Sequence, residues 1–253
     1  MKIHDFSMQY NEHNIQLKFK NLAEFQKYFM FQNSNNWWWI KETNGFEKWV
    51  KQKVKNILDI TLSMTHLNFN SILDIGSGMS LFTIALKQIK PDLKIYLLDY
   101  DGHSLKKGQK FYNLDSTISY YNSWAVVKDI LESTNLDKND FTFLSPDDKF
   151  PENLDFIRSK ASWCWHYPFE VYWNKVKESL ITGGQLWVDI VWRQDKDVVK
   201  EISDFMNSAP KHIQLMHKDI FKNRIRKDNP PQECYIVNDH IGGSYCWDKI
   251  INK

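Results

Sequence analysis

Leu73-Asp-Ile-Gly-Ser-Gly-Met-Ser80 is the stretch on which the fold turns. The short apolar run Ser71 to Ile75 ends in Gly76-Ser-Gly78, and beyond it Leu81, Phe82, Ala85, Leu86 and Ile89 form a helical face stopped by Pro91. This is strand, tight turn, helix. Leu93 to Leu98 then reads as a second buried strand ending at Asp99. The handedness of crossovers makes such a βαβ unit a parallel pair. Only 9 glycines occur in the whole chain, so two of them this close together carry information.

Upstream, Asn44 with Glu47 makes a capping-box-like start, and Phe46, Trp49, Val50, Val54, Ile57 and Leu58 recur at helical spacing. Residues 1–70 read as cap helices and 71–253 as the domain that they accompany. Downstream, Tyr100 to Tyr121 reads as a short helix plus an insertion, and Ser123 caps a helix carrying Val126, Val127, Ile130 and Leu131. A strand from Phe141 to Leu144 leads to the turn Ser145-Pro-Asp-Asp148, and a fourth strand starts near Leu154 and runs towards Trp165. His166-Tyr-Pro168 opens a helix that Gly183-Gly184 closes, followed by a fifth strand from Gln185 to Trp192. After a helix at Val198 to Met206, the stretches Ile213 to Phe221 and Cys234 to Val237 are of unsettled type. Breaks at Pro230-Pro231 and Gly242-Gly243 suit an antiparallel finish. The expected fold is therefore α/β and Rossmann-like: a mostly parallel doubly wound sheet with a C-terminal antiparallel hairpin and an N-terminal helical cap.

At 253 residues, one enzyme-sized domain with trimmings fits the chain best. Lys+Arg 33 against Asp+Glu 31 leaves a net charge of +2, too balanced for the one-sided field of a non-specific nucleic-acid binder. Cys164, Cys234 and Cys246 lie far apart without CxxC spacing, so neither a disulfide framework nor a zinc site is expected. Met1 to Lys20 fits neither a signal nor a transit peptide, and no apolar run approaches the roughly 18 residues of a membrane span. A cytoplasmic protein with no membrane partner and no metal is the expectation.

In the first loop, Gly76 and Gly78 let backbone approach a ligand, and Asp99 at the next strand's tip suits two ribose hydroxyls. Leu81 stands where the dinucleotide fingerprint has its third glycine, which argues against a nicotinamide or flavin cofactor. With Asp74 two residues before Gly76, the pattern from about Phe46 to Trp192 resembles the class I S-adenosylmethionine-dependent methyltransferases. The resemblance implies S-adenosylmethionine as cofactor, with Asp74 orienting the glycine loop and Gly76, Ser77 and Gly78 beside the methionine part. It further implies Asp99 on the ribose, Tyr100 near the adenine, Asp147 or Asp148 near the adenine amine and Trp163 bordering the cofactor. One departure is Ser80, where many members have a further glycine.

Ser162-Trp-Cys-Trp-His-Tyr-Pro-Phe169 resembles a narrower group of small-molecule, often sugar, O-methyltransferases. The end of strand four faces the transferable methyl in that fold, so His166 is the candidate general base or, equally, a substrate ligand or a packing histidine. Asn229-Pro-Pro-Gln232 mimics a motif of base-directed amino methyltransferases, but Gln232 replaces the stacking aromatic and the tetrapeptide follows the wrong strand. Trp37-Trp-Trp39 reads as packing or as an aromatic wall, and Lys106, Lys107 and Lys110 as a solvated face. The expected activity is methyl transfer to an oxygen of a small, sugar-like acceptor. The alternatives are a nucleic-acid or protein methyltransferase of the same fold, or a catalytically silent cofactor-binding assembly partner; the sequence leaves the oligomeric state open.

Overall fold

Residues 4–19 fold as four short strands ahead of the expected helices. β1 (His4–Asp5) pairs antiparallel with β4 (Lys18–Phe19), and β2 (Met8–Tyr10) with β3 (His13–Ile15). Asn11, in the left-handed region at φ 49°, turns β2 into β3. Ile15, Leu17 and Phe19 are fully buried at the period of two that places alternate side chains on one face. The helices follow as α1 (Leu22–Met30) and α2 (Thr43–Met64). Phe6, Phe19, Phe25 and Phe46 link strands to helices in a chain of ring contacts with centroids 4.9, 4.5 and 5.8 Å apart. The computed structural model describes residues 3–30, 43–64, 69–101, 122–160, 162–191, 195–217 and 240–250. Trp37 to Trp39, the three lysines at 106, 107 and 110, Cys234 and Asn229 to Gln232 lie outside these residues.

The βαβ unit stands where the sequence puts it. β5 (Ser71–Ile75) is buried at every position, α3 (Leu81–Ile89) buries Leu81 through Lys87, and β6 (Lys94–Leu98) runs parallel to β5 with Ile75 opposite Leu98. Lys87 is buried with its ammonium donating to the Leu93 carbonyl at 3.0 Å and lying 3.2 Å from Asp140. α4 (Trp124–Ser133) is capped by Ser123, and β7 (Phe141–Leu144) lies parallel to β6. The next elements are β8 (Leu154–Ser159), β9 (Ser162–Tyr167), α5 (Glu170–Ser179), β10 (Leu180–Val191), α6 (Asp195–Met206), β11 (Lys211–His217) and β12 (His240–Asp248).

The strands are mostly parallel and Rossmann-like in arrangement, with an antiparallel C-terminal hairpin. The described residues fall into two compact units, one reaching to residue 148 and the other from 149 onward. Within the first the strand order is β5-β6-β7, and within the second it is β11-β12-β10-β8. β10 is parallel to β8 and antiparallel to β12, and β12 is antiparallel to β11.

Three local expectations change. His166 lies in β9 and not at a helix start; the helix begins at Glu170, after Phe169, which already has helical dihedrals. Gly183 and Gly184 do not close α5, which ends at Ser179; they sit inside β10, in a bulge between the Leu180–Leu154 and Gln185–Phe156 pairs. Gly242 and Gly243 are also strand residues, opposite Val191 and Ile190.

The bulge gives Gly184 its reason. A Cβ there would stand 2.8 Å from Leu180 Cδ1, 2.9 Å from the Ile181 carbonyl oxygen and 3.0 Å from that of Asp155. Two of these are backbone atoms of paired segments and cannot swing aside. Gly184→Ala is expected to destabilise the protein by about 1–3 kcal/mol, as overpacking does, read as a lowered urea midpoint with an unchanged slope. An unchanged midpoint would mean that the bulge relaxes freely.

Candidate functional site

The carboxyl ends of β5 and β6 build one polar centre. At the end of β5 the chain enters the left-handed region at Gly76 (φ 71°), Gly78 (φ 53°) and Ser80 (φ 55°). Glycine adopts this geometry without strain, whereas Ser80 carries a Cβ through it. The turn is held because Gly76 and Ser77 both donate to the Leu98 carbonyl, at 2.7 and 3.3 Å, and Ser80 donates to Ser77 at 3.0 Å. Ser80 in turn receives Ile84 N–H at 2.9 Å and Thr83 Oγ1–H at 2.9 Å, which starts α3. The Ser80 hydroxyl makes no cap bond to α3 and donates back to the Gly78 carbonyl at 3.4 Å.

Gly78 N–H donates to Asp99 Oδ2 at 2.7 Å, and Tyr100 N–H donates to Oδ1 at 2.8 Å. Asp99 N–H itself binds the Leu144 carbonyl at 3.2 Å, which ties the site to the end of β7. Removal from water pushes the Asp99 carboxyl up to about 6; the two amide bonds pull the other way, and the nearby Asp74 adds to the rise. Asp74 is fully buried in β5. Among the described residues, and apart from its chain neighbours, no atom lies within 4 Å of where a Cβ on Gly78 would be, so a ligand can approach the backbone there. Ser77 Oγ is buried with no hydrogen-bond partner among the described residues.

The structure thus brings together Asp74, Gly76, Ser77, Gly78, Asp99 and Tyr100. Asp147 is exposed, and Asp148 turns its Oδ2 back to receive Ser145 N–H at 2.7 Å, closing the turn after β7. Trp163 belongs to the second unit, where it is fully buried, stacked on Phe169 at 5.7 Å and 8°. Its indole N–H donates to the Phe169 carbonyl at 2.8 Å. His166 lies in β9, its side chain outside the described atoms. Two residues before it, Cys164 takes φ 61°, which for a non-glycine residue without an amide or carboxylate to bond its own backbone is a strained conformation. The Cys164 thiol is raised well above its usual value by burial, so it stays protonated.

Sequence reading missed Asn122. It is buried immediately before the Ser123 cap, and neither its Nδ2 nor its Oδ1 has a partner among the described residues. An Asn before a helix start reads as a turn residue, and nothing in the pattern signals its burial. Among the described residues there is no group of three or more His, Cys, Asp or Glu side chains able to hold a metal ion, and no helix long and apolar enough to cross a membrane.

No family model and no curated protein matches the chain. Among solved structures it is similar to precorrin-6y C5,15-methyltransferase from Geobacter metallireducens, at 14% identity over 77% of this chain and 89% of that one, with a TM-score of 0.42. It is also similar to the StiE O-MT, at 10% identity over 82% and 75%, with a TM-score of 0.48. A third is the fibrillarin/Nop5p complex, at 14% identity over 78% and 81%, with a TM-score of 0.40.

Asp99 makes stability depend on pH with a definite sign. Its folded value of about 6 lies above the ordinary 3.8, so between these values the folded protein binds the extra proton. Its contribution is present below about pH 4 and is lost as pH rises through about 6. Asp99→Asn removes this dependence. The stability of the unsubstituted protein relative to Asp99→Asn is expected to fall between pH 4.5 and about 6.5 and level off above, by urea unfolding; a flat difference would place the carboxyl in water.

Proposed function

We propose that the chain is an S-adenosylmethionine-dependent methyltransferase acting on an oxygen of a small, sugar-like acceptor. The observation that carries this reading is the Gly78–Asp99 bond, which makes the glycine turn and the acid at the second strand's tip one rigid unit. A carboxylate oxygen accepts two hydrogen bonds, so after Gly78 and Tyr100 each oxygen of Asp99 keeps one position for a ribose hydroxyl. The open side of Gly78 and the buried Ser77 hydroxyl are available to the amino-acid end of the ligand. These residues fit the cofactor that the sequence resemblance implies.

When bound, S-adenosylmethionine supplies an electrophilic methyl on a sulfonium whose leaving group is the thioether of S-adenosylhomocysteine. The chain's part is to hold that group in line with the acceptor oxygen and to keep water out. The acceptor hydroxyl loses its proton as the new carbon–oxygen bond forms, and His166 is the residue to which we assign that proton. The strained Cys164 two residues earlier supports a functional demand on β9, since strain of this kind persists where the surroundings impose it.

Asp99→Ala is expected to weaken S-adenosylmethionine binding by about 1.5–3 kcal/mol, the worth of hydrogen bonds to a charged group, with the far-ultraviolet circular dichroism unchanged. Calorimetry decides it: equal affinities would remove Asp99 from the site, and binding of NADH in preference would overturn the cofactor itself. His166→Ala is expected to lower the methyl-transfer rate by about two to four powers of ten while cofactor affinity stays put. A neutral histidine base also gives a rate that rises through a pKa near roughly 6.5, a limb that the variant should lack. Full activity with the same pH profile would assign His166 to packing.

A further inference from the structure

We infer that Asn122 reads the hydrogen-bonding edge of the adenine ring, an inference that rests on the cofactor reading above. Asn122 is 1% exposed, yet both heteroatoms of its amide lack partners among the described residues. An Asn amide brings two donors and two acceptors, and leaving all of them dry is a cost that native proteins avoid unless a ligand or water removes it.

The position is fixed by the two residues that follow it. Trp124 N–H donates to Asp101 Oδ1 at 2.9 Å, Ser123 caps α4 through Val126 N–H, and the Trp124 ring packs on Phe143 at 5.0 Å. Asp101 follows Asp99 and Tyr100 at the end of β6, and Phe143 precedes Leu144 at the end of β7. Asn122 therefore stands at the carboxyl ends of the two strands that Asp99 joins, where open α/β sheets bind ligands. A ribose on Asp99 places its base within reach of this side of the sheet.

The chemistry is complementary. The edge of adenine presents an acceptor, N1, beside a donor, the N6 amine, and an Asn side chain presents a donor beside an acceptor. Of the two acids that the sequence resemblance offers for the amine, Asp147 is exposed and Asp148 accepts Ser145 N–H on its Oδ2. Asn122 supplies both halves of the recognition from one planar group whose backbone is already anchored. It acts on selectivity, and methyl transfer itself does not pass through it.

The test compares S-adenosylhomocysteine with two analogues, one with 1-deazaadenine, which lacks the N1 acceptor, and one with N6,N6-dimethyladenine, which lacks the donor. By calorimetry the unsubstituted protein is expected to bind each analogue about tenfold or more weakly, the scale of one lost hydrogen bond in a buried site. Asn122→Leu should lose affinity for S-adenosylhomocysteine and bind it and the 1-deaza analogue alike. Asn122→Asp, which keeps the size and loses the N–H donors, should likewise lose the 1-deaza preference, and it serves where the leucine variant does not fold. The ligand-free melting temperature of Asn122→Leu should hold or rise, since no orphan amide remains buried.

Equal affinities for S-adenosylhomocysteine and both analogues in the unsubstituted protein overturn the inference. So does a preference that survives in both variants, or a melting temperature that drops while selectivity stays. If the unsubstituted protein binds no S-adenosylhomocysteine at all, the cofactor reading falls and this inference with it. If it binds that ligand without base selectivity, only the role of Asn122 falls.

Discussion

The hydrogen bond from Gly78 N–H to Asp99 Oδ2, at 2.7 Å, is the constraint around which the first unit is arranged. For that amide to face the strand tip, the chain leaving β5 must turn left-handed at Gly76 and again at Gly78. The Leu98 carbonyl then takes two amides of the turn, so the loop is fastened at Leu98 and again at Asp99 just beyond it. Ser80 continues the alternation at φ 55°, a conformation costing an ordinary residue about 1–2 kcal/mol. What offsets that cost is α3, whose residues Leu81 to Lys87 are all buried, so the helix direction dictated by packing overrides the local preference of a serine.

The same arrangement decides the site's electrostatics. Asp99 is drawn out of water by the elements that position it, and the buried Asp74 opposes its ionisation further. The two amide bonds keep the charge attainable near neutrality and fix which lone pairs face outward. The cysteines obey the same physics. Burial pushes the Cys246 thiol up to about 12 and raises that of Cys164 well above its usual value. They are packing residues.

What could be read from the sequence follows from how local each signal is. The β5-α3-β6 unit was legible because an all-buried strand, a glycine turn and an apolar helical face each announce themselves within ten residues. The short strands of residues 4–19 were not, although Ile15, Leu17 and Phe19 alternate, because runs of two or three residues fall below any window that separates period two from chance. His166-Tyr167 looked like a helix entrance since Pro168 follows, whereas the residues ahead of that proline are extended. That Asp99 stands at the end of β6 could be read from the strand pattern, and that Asp74 lies within β5 likewise. The burial of Asn122 could not, because nothing in its local sequence separates a buried asparagine from one in an exposed turn.

Glycine pairs illustrate the limit best. Near a predicted helix end, Gly183-Gly184 reads as a stop, the commonest use of glycine there. In the folded chain it resets a register instead: Leu180 opposes Leu154 and Gln185 opposes Phe156, so five steps along β10 answer two along β8. Five is odd, and without a bulge Leu180 and Gln185 would point to opposite faces while their partners share one. Gly183, at φ 84°, and the missing Cβ of Gly184 absorb the mismatch, and Lys249 seals it by exchanging backbone bonds of 2.8 Å with both glycines. The correct facing of Leu186, Trp187, Val188 and Asp189 thus rests on two residues that contribute no side chain to either face.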